Sequence, residues 1–492
     1  MECKTVVEYL FQHAKEYPGK TAIIANGIVA DYRRLADLVC RYAAFLQKNG
    51  LQKNDVIVVK SSQTLDYVVA YFAVHAAGGV AASVEKNMPE AGILAVAKSV
   101  GAKMIISVGG GKELPCEDTV RIDSAFVLAD AQNTQPKTLS LPDAEDSADI
   151  LLTTGTTGSS KGVELDHKTL VATARRLIYG GEYRDNTVLV VPSPLNHALP
   201  IAELQATIVN GSTMHILNGM TNLKAFYDAL EDDEGSLACS LPPAMVRMLF
   251  TLSGDTIGRH AEKIDFIESG GAPFPETDKL RLCKLLPKSR LYNVYGSAES
   301  AITCMYDYNA NPGKIGCVGK AMPHSQVIIV DDDKKVIQSS ADHVGYLACL
   351  GDTNMKGYIN DPEQTKQVLA DGIVYTNDIG YIDAEGFVYV IGRKDDVINV
   401  GGLKVAPAEV EAAALSIEGI KDCICVPMRH PISGYAPKLL VVMREDAEFS
   451  VQKITSELQQ RLEGYKVPTQ YEKVESVART YNGKLDRKAY RF

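Results

Sequence analysis

The stretch "ADILLTTGTTGSSKG" (residues 148–162) joins an apolar run directly to a loop of small and polar residues. The run at residues 148–152 is typical of a strand buried in a sheet. The next ten residues, Thr153 to Gly162, contain three glycines, six hydroxyl side chains and one lysine. Glycines let successive backbone N–H groups point at one anion, while the hydroxyls and Lys161 add donors and positive charge. This pattern predicts a phosphate-binding loop behind a buried strand, with a flexible surface turn as the alternative.

Apolar runs of the same kind recur along the first 300 residues, with turn signals and helical stretches between them. Their nearly continuous hydrophobicity is typical of strands in parallel sheets that are covered by helices on both faces. We therefore expect an α/β fold with mostly parallel sheets. The predicted strands lie in "TAIIANG" (21–27), "DVIVVKSS" (55–62), "AKMIISVGG" (102–110), "ADILLTT" (148–154), "TVLVVPSP" (187–194), "KIDFIESGG" (263–271) and "SRLYNVYG" (289–296).

The pattern changes after "QVIIVDDDKKVIQ" (326–338). Shorter, more alternating strands such as "GYLACLG" (345–351) and "GFVYVIGR" (386–393) predict a small antiparallel or barrel-like β subdomain. The charged, glycine-rich "GRKDDVINVGG" (392–402) resembles a linker, and the residues beyond it alternate helix, strand, strand, helix. We expect a large N-terminal domain over residues 1–391, a hinge at 392–396 and a small α+β C-terminal domain over 397–492.

Composition excludes several classes of protein. The chain has 492 residues, ordinary globular composition and a formal net charge of −10, which disfavours nucleic-acid binding. Its ten cysteines show no zinc-like spacing and no disulfide framework, and the N-terminus lacks a signal-peptide pattern, so we expect a cytoplasmic protein. The 18 uncharged residues from Tyr67 to Val84 predict a buried helix, a glycine turn and a buried strand rather than a membrane span.

Six segments in a fixed order carry a family resemblance: "TTGTTGSSKGVE" (153–164), "ESGGAPF" (268–274), "NVYGSAE" (293–299), "YTNDIG" (375–380), "GRKDDVINVGGLKVAPAEVE" (392–411) and "RTYNGKLDR" (479–487). Together they resemble the successive signatures of the adenylate-forming superfamily, which comprises acyl- and aryl-CoA synthetases, adenylation domains of peptide synthetases and firefly luciferase. The match spans nearly the whole chain. It implies a mobile C-terminal domain and the use of ATP with Mg²⁺ to convert a carboxylate into an acyl-adenylate.

The resemblance assigns residues to the phosphates and to the metal. The loop would hold the β- and γ-phosphates that leave as pyrophosphate, with Lys161 as its charged member, and Glu299 would be the carboxylate on the Mg²⁺ side. Charge neutralisation of this kind is what the chemistry requires, because a carboxylate and a triphosphate repel each other. The remaining loop residues are Thr153, Thr154, Gly155, Thr156, Thr157, Gly158 and Ser159.

The same resemblance places the nucleotide. Adenine would lie between a glycine-rich backbone segment and an aromatic ring, where flat contact is possible on both sides. Asp378 would accept both ribose hydroxyls, with Arg393 as its basic partner. The residues assigned to the adenine side and to the segment leading to Glu299 are Gly270, Gly271, Ala272, Asn293, Tyr295, Gly296 and Ser297.

The C-terminal segment is assigned two successive roles. Lys484 matches the family lysine that bridges the substrate carboxylate and the ribose and α-phosphate oxygens during adenylation. Asp395 occupies the hinge position, so that rotation of the small domain would present a second face to the same centre. On that face Gly401 and Gly402 would leave room for the pantetheine arm of coenzyme A, and Lys404 would meet its phosphate.

The acid pocket is expected around "PSPLNHALPI" (192–201), Gly270 and Ala301. His197 matches the gating position of acyl- and aryl-CoA ligases, although a structural histidine is an equal alternative. No aspartate stands near Asn196 to pair a substrate ammonium next to the carboxylate, so free amino acids are disfavoured.

Three functions compete. The first is an acyl- or aryl-CoA synthetase acting on a small carboxylic acid. The second is an adenylating enzyme that loads a separate phosphopantetheinyl carrier protein. The third, a P-loop ATPase or nucleotide sensor, is disfavoured because Lys161 stands between Ser160 and Gly162, where a P-loop needs Gly before the lysine and Ser or Thr after it.

Overall fold

A computed structural model describes residues 3–107, 120–123, 134–135, 139–154, 160–232, 234–394, 396–401, 403–431, 433–479 and 485–490. The described residues form three β-sheets of fourteen, seven and five strands. Helices cover the first two sheets, and the third is built only from residues after Arg393. The α/β class predicted from the apolar runs is confirmed.

The fourteen-stranded sheet combines a parallel part with an antiparallel part. In spatial order its strands are β16 (Ser325–Val330), β17 (Gly345–Gly351), β20 (Ile373–Ile382), β21 (Val388–Arg393), β15 (Cys317–Ala321), β14 (Ala301–Asp307), β13 (Arg290–Ser297), β12 (Ile264–Gly270), β11 (Ser236–Ser240), β9 (Thr187–Val191), β10 (Thr213–Ile216), β1 (Thr21–Ala25) and β2 (Ile28–Asp31), with β19 (Leu369–Ala370) paired to β20. Parallel pairs join the strands from β13 to β1, and antiparallel pairs join the strands on the other side of β13 and the edge strand β2 to β1.

The seven-stranded sheet carries the loop that opened the sequence analysis. In spatial order its strands are β18 (Gly357–Tyr358), β8 (Ser160–Asp166), β7 (Ser147–Thr154), β4 (Val80–Val84), β3 (Val56–Lys60), β5 (Met104–Ser107) and β6 (Val120–Asp123). The part from β7 to β6 is parallel, and an antiparallel hairpin joins β7 to β8.

Twelve α-helices are described. They are α1 (Val6–Glu16), α2 (Tyr32–Lys48), α3 (Leu65–Ala76), α4 (Glu90–Val100), α5 (His167–Gly180), α6 (Ala198–Asn210), α7 (Leu223–Asp232), α8 (Pro243–Ser253), α9 (Glu276–Leu285), α10 (Pro362–Val368), α11 (Pro407–Leu415) and α12 (Val451–Gln459). Several begin at a side chain that accepts a backbone N–H of the first turn, as Thr64 does for α3 and Asp166 does for α5. One hydrophobic cluster joins both large sheets through α2, α3, α5 and α6.

The apolar segment Tyr67–Val84 is divided as its glycines predict. The last turns of α3 are fully buried, Gly78 adopts a left-handed φ of +83°, and β4 follows with every residue buried. Left-handed backbone favours glycine because it has no Cβ. Among the described residues, no helix combines the length and hydrophobicity that a membrane crossing requires.

The antiparallel subdomain predicted after residue 338 is confirmed, although it also includes β15 and β16 from before that residue, and it is continuous with the large sheet. Strands β16, β17, β20, β21 and β15 pair antiparallel in turn, and β15 then pairs with β14. The strands curl so that β16 returns beside β14 and β15. This curl gives the subdomain its barrel-like shape, and a small apolar cluster centred on Leu347 and Val388 fills it.

The five-stranded sheet forms the C-terminal part of the molecule. Its order is β23 (Leu403–Val405), β22 (Ile398–Val400), β25 (Gly434–Met443) and β24 (Ile420–His430), with β26 (Gln470–Lys473) parallel to β25. Helices α11 and α12 contribute to the hydrophobic cluster on one face. The linker predicted over 392–402 is shorter than expected, because Ile398–Val400 pair with Leu403–Val405 in a hairpin.

Candidate active site

Two adjacent parallel strands end side by side at the candidate site. Gly270, the last residue of β12, pairs with Val294 of β13, and Asn293 is buried on the same strand. A Cβ on Gly270 would lie 2.8 Å from the Val294 carbonyl oxygen and 3.1 Å from Leu199 Cδ2, so only glycine fits. Gly271 follows with a φ of +80° and open space around it. A glycine backbone with one open side is suited to flat contact with a ring.

A tight turn joins β13 to β14 and carries Glu299. The pairing of the two strands shifts register between Tyr295 and Gly296. A Cβ on Gly296 would lie 1.9 Å from the Ala301 carbonyl oxygen, and Ala301 itself adopts an uncommon φ of 49°. The Ser297 hydroxyl accepts the backbone N–H of Glu299 at 3.2 Å. This turn therefore fixes the direction in which Glu299 leaves the sheet.

Asp378 connects the curled subdomain to β13. Its Oδ2 accepts the Tyr295 hydroxyl at 2.6 Å, and its Oδ1 accepts Arg393 Nε at 3.2 Å from the neighbouring strand β21. Burial, reinforced by the negative charge of Asp378, raises the pKa of Tyr295 well above its ordinary value. Tyr295 therefore stays protonated and keeps donating. The three residues predicted for adenine and ribose contact lie together.

Tyr358 connects the loop-bearing hairpin to Glu299. Its hydroxyl donates to Glu299 Oε1 at 2.8 Å, and Lys161 Nζ lies 5.4 Å from the centre of its ring. Burial and the nearby Glu299 carboxylate raise the pKa of the Tyr358 phenol. The backbone supports this arrangement, because Tyr358 pairs with Val163 on the strand that carries Lys161. A cation and a carboxylate thus share one aromatic side chain.

The donor set fits a magnesium ion that is shared with phosphates. Among the described residues, no group of three or more His, Cys, Asp or Glu side chains meets in a way that would hold a metal. Mg²⁺ in phosphate-transfer sites is held by one or two carboxylates plus the phosphates and water. The half-buried Glu299 provides one such carboxylate, and Lys161 contacts the ring of the same Tyr358 that Glu299 accepts a hydrogen bond from.

His197 stands at the N-cap of α6, half-buried, with no side-chain hydrogen bond to the first turn of the helix. Asn196 beside it accepts a hydrogen bond from the Ser61 hydroxyl at 3.2 Å. Leu199, one residue inside the helix, reaches Gly270. The predicted acid pocket and the predicted adenine site therefore share a wall.

Several predicted site residues lie outside the described residues. In the loop these are Gly155, Thr156, Thr157, Gly158 and Ser159, and in the C-terminal segment they are Asp395, Gly402 and Lys484. The described neighbours mark where these segments begin and end. Thr153 pairs with Lys161, and Thr154 with Ser160, across the β7–β8 hairpin. Gly401 and Lys404 belong to the β22–β23 hairpin, where the Gly401 N–H donates to the Ser433 carbonyl at 3.0 Å.

Arg487 anchors the chain just after the segment that contains Lys484. It donates to both oxygens of the buried Glu411 on α11 at 2.6 and 2.5 Å, and it lies 3.9 Å from Asp396 beside the hinge position. Burial raises the pKa of Glu411 to about 7 although Arg487 opposes that shift. On the other side, Arg479 and Leu485 form a β-bridge.

The structure thus places Lys161 and Glu299 against the same side chain, that of Tyr358, and places Tyr295 and Arg393 against Asp378. Tyr358 and Arg487 were missed by sequence reasoning. The aromatic residue in "MKGYIN" (355–360) offered no periodic signal, and only the closeness of Arg487 to the lysine motif pointed toward it.

Comparison with protein families gives two matches that follow each other along the chain. The model of the AMP-binding enzyme matches residues 10–359, and that of the AMP-binding enzyme C-terminal domain matches residues 409–484. Similar proteins include a long-chain-fatty-acid–CoA ligase of Bacillus subtilis, 26% identical over 99% of this chain and 94% of its own. A 4-coumarate–CoA ligase of Pinus taeda is also 26% identical, over 98% and 94%.

Solved structures agree in fold over the whole chain. MatB from Rhodopseudomonas palustris with bound ATP has a TM-score of 0.89 at 23% identity and 99% coverage of both chains. The o-succinylbenzoate CoA synthetase of Bacillus subtilis, in complex with its acyl-adenylate, has a TM-score of 0.88 at 22% identity and 98% coverage of both. With a family model matching well over half of its residues, this chain belongs to the AMP-binding enzymes.

Proposed function

We propose that this protein is an AMP-forming acid–thiol ligase, which activates a carboxylic acid with ATP, releases pyrophosphate and transfers the acyl group to coenzyme A. The similar proteins are named as CoA ligases, of fatty acids in one example and of 4-coumarate in another. Coenzyme A is therefore favoured over a carrier protein as the acceptor.

One observation carries the proposal at the level of chemistry. Lys161, from the predicted phosphate loop, and Glu299 lie on the same tyrosine, while the Asp378–Tyr295 pair lies where β13 approaches the curled subdomain. The Lys161 ammonium would neutralise part of the charge of a triphosphate, and a buried acceptor near a ring would hold a nucleoside. Glu299 would be the residue that holds Mg²⁺, and the ion would supply positive charge that lowers the repulsion between the two anionic substrates.

The remaining residues are proposed in the roles that the family resemblance implies. Gly270, Gly271 and Ala272 would contact adenine, Lys484 would stabilise charge during adenylation, and Gly401 and Lys404 would receive coenzyme A. The boundaries 1–391, 392–396 and 397–492 are proposed as the bodies that rotate between the two half-reactions, with Asp395 at the pivot. His197 is proposed to border the acid.

A panel of carboxylic acids tests the proposal in one assay. Pyrophosphate release is measured with ATP and each acid, first without and then with coenzyme A. We expect pyrophosphate from at least one acid, and multiple turnovers only when coenzyme A is added. Phosphate as the product would contradict the proposal. A single turnover that coenzyme A does not extend, but a phosphopantetheinyl protein does, would assign the acceptor to a carrier instead.

A further inference from the structure

A buried arginine on α5 is the centre of a hydrogen-bond network beside the turn between β13 and β14. Arg176 is 4% exposed. Its Nη1 donates to the Ile302 carbonyl at 3.1 Å and to the Thr353 hydroxyl at 2.7 Å. Its Nη2 donates to the His324 carbonyl at 2.7 Å and to the Asp352 carboxylate. One guanidinium thus connects three segments that are far apart in sequence.

Two of these acceptors lie where the backbone takes an uncommon conformation. His324 has a φ of 58°, and Ala301, which precedes Ile302, has a φ of 49°. Residues other than glycine keep such a backbone only where the surrounding structure determines it. The guanidinium binds the carbonyl of His324 itself and the carbonyl that follows Ala301. Arg176 therefore helps to hold the β13–β14 turn in its strained form.

The packing around the guanidinium allows a buried charge. A Cβ on Gly351, the last residue of β17, would lie 2.6 Å from Arg176 Nη2, so the guanidinium occupies the space that a side chain would need. The half-exposed carboxylate of Asp352 supplies the negative charge that a buried cation requires. Burial lowers the pKa of Arg176, and Asp352 opposes that shift. Arg176 therefore stays charged and keeps donating.

Thr353 connects this arginine to the residue next to Glu299. The fully buried Thr353 hydroxyl accepts the guanidinium and donates to the Ser300 carbonyl at 2.8 Å. Two residues later the Met355 N–H donates to the Glu299 carbonyl at 2.8 Å, and Tyr358 then donates to the Glu299 carboxylate. Three bonds from one segment thus hold Glu299 and its neighbour, and the guanidinium fixes the start of that segment.

We propose that Arg176 and Thr353 are positioning residues, which fix the direction of the Glu299 carboxylate toward the Mg²⁺ that accompanies ATP. This inference rests on the proposed function and adds two residues to its metal side. Both side chains are buried, so they act through the turn rather than by contact with a substrate. Replacing a partner that orients a metal ligand typically costs about tenfold to a hundredfold in metal affinity.

Four variants test the inference. Thr353→Val removes the hydroxyl and keeps the branched shape, whereas Thr353→Ser keeps the hydroxyl. Arg176→Lys keeps the charge, but its single nitrogen cannot reach acceptors on three segments. Arg290→Lys is the matched control, because Arg290 lies at the opposite end of β13, where it donates to Asp265 at 2.8 Å and to the Gly181 carbonyl at 2.9 Å. Thermal unfolding verifies that each variant folds, and the two Thr353 variants decide the test if Arg176→Lys does not.

The measurement is the binding of α,β-methylene-ATP, an analogue that cannot be cleaved to AMP. Calorimetry gives its dissociation constant with Mg²⁺ and again with EDTA, and no acid substrate is needed. The ratio of the two constants isolates the contribution of the metal ion. A purely structural role of the network would change both constants alike, whereas a role in orienting Glu299 changes only the constant with Mg²⁺.

We expect Thr353→Val and Arg176→Lys to weaken binding with Mg²⁺ by roughly tenfold, and to leave binding in EDTA within about twofold of wild type. Thr353→Ser restores binding with Mg²⁺ because its hydroxyl remains, and Arg290→Lys changes neither constant. Equal weakening in the two conditions, unchanged binding by Thr353→Val, or an equal shift in Arg290→Lys would overturn the inference and leave the proposed function intact. Wild-type protein that does not bind the analogue at all would count against the proposed function itself.

Discussion

Tyr358 is the residue on which the two opposite charges of the candidate site depend for their positions. Its hydroxyl holds one oxygen of Glu299, and its ring lies under the Lys161 ammonium. The two contacts use different parts of one side chain, so they are separable by substitution. A phenylalanine keeps the ring and removes the hydrogen bond, whereas a leucine removes both.

We expect Tyr358→Phe to lower kcat for pyrophosphate exchange by about tenfold, because hydrogen bonds to charged groups contribute roughly 1.5–3 kcal/mol and this one is partly exposed. The Mg²⁺ concentration required for half-maximal rate should rise as well, since Glu299 loses its orientation. Tyr358→Leu should lose a further few-fold with the cation–π contact. Equal rates for the wild type and Tyr358→Phe would show that Glu299 is held by other means.

The loop, the adenine segment and the Asp378 strand could be proposed as site segments from sequence because each is a short local pattern. Tyr358 could not, since it contacts Glu299 across 59 residues of chain and only the pairing of β18 with β8 brings it there.

At the scale of elements, the turn between β13 and β14 depends on one glycine. Gly296 brings its backbone so close to the Ala301 carbonyl that a methyl group would overlap with it. The uncommon backbone conformation of Ala301 already strains the same turn. Tyr295 and Glu299, which flank this glycine, are both candidate site residues. The turn therefore fixes their positions relative to each other.

Gly296→Ala should therefore reduce both stability and activity. We expect a loss of about 1–3 kcal/mol in the free energy of unfolding, as for other substitutions that overfill a packed site, and a larger relative loss in pyrophosphate exchange. Gly464→Ala is the matched control, because no atom lies within 4 Å of the added methyl group, and it should stay within about 0.5 kcal/mol of wild type. Urea unfolding followed by fluorescence measures both. Comparable effects of the two substitutions would contradict the steric explanation.

The C-terminal helix α11 is tied to the end of the chain by the Glu411–Arg487 pair. Glu411 has a folded-state pKa of about 7, above its ordinary value. Because its pKa is raised, Glu411 keeps a proton in the folded state at pH values where the unfolded state has lost it. The stability that this protonation contributes is complete below the unfolded-state pKa of about 4.5 and declines as the pH rises to about 7. Arg487 limits the decline by stabilising the ionised form.

Arg487→Ala should therefore destabilise the protein more at pH 8 than at pH 5. At pH 8 the substitution leaves a buried carboxylate without its cation, for which a loss of about 3–5 kcal/mol is typical, whereas at pH 5 the protonated Glu411 tolerates it. The double variant Glu411→Gln with Arg487→Ala should remove this pH dependence. The measurement is the denaturation midpoint of each variant at the two pH values, and an equal loss at both would show that Glu411 is not the titrating group.

At the scale of the whole molecule, the two family matches correspond to two regions with separate sheets. The first, residues 10–359, contains the described contacts of Lys161, Glu299 and Tyr358, and the second, residues 409–484, ends at Lys484. The hydrophobic cores could be predicted from the sequence, because buried strands and amphipathic helices repeat along it. The placement of one region relative to the other could not be predicted. Polar contacts such as that of Arg247 with Asp422, 3.9 Å apart, connect the two regions, and such contacts leave no pattern in either segment.

The proposed rotation assigns Lys484 to only one of two half-reactions, and this is testable without knowing the position of its side chain. Lys484→Ala should abolish formation of the acyl-adenylate, with a loss of at least a hundredfold as for removal of other charge-stabilising donors. Transfer from supplied acyl-adenylate to coenzyme A should stay within about threefold of wild type, because a different face of the small domain would serve that step.

Lys473→Ala, which removes an exposed lysine from the same C-terminal sheet, is the control and should leave both rates unchanged. Pyrophosphate exchange and thioester formation measure the two steps separately. An equal loss in both would mean that one arrangement of the two regions performs the whole reaction, and the hinge at 392–396 would then have no catalytic role.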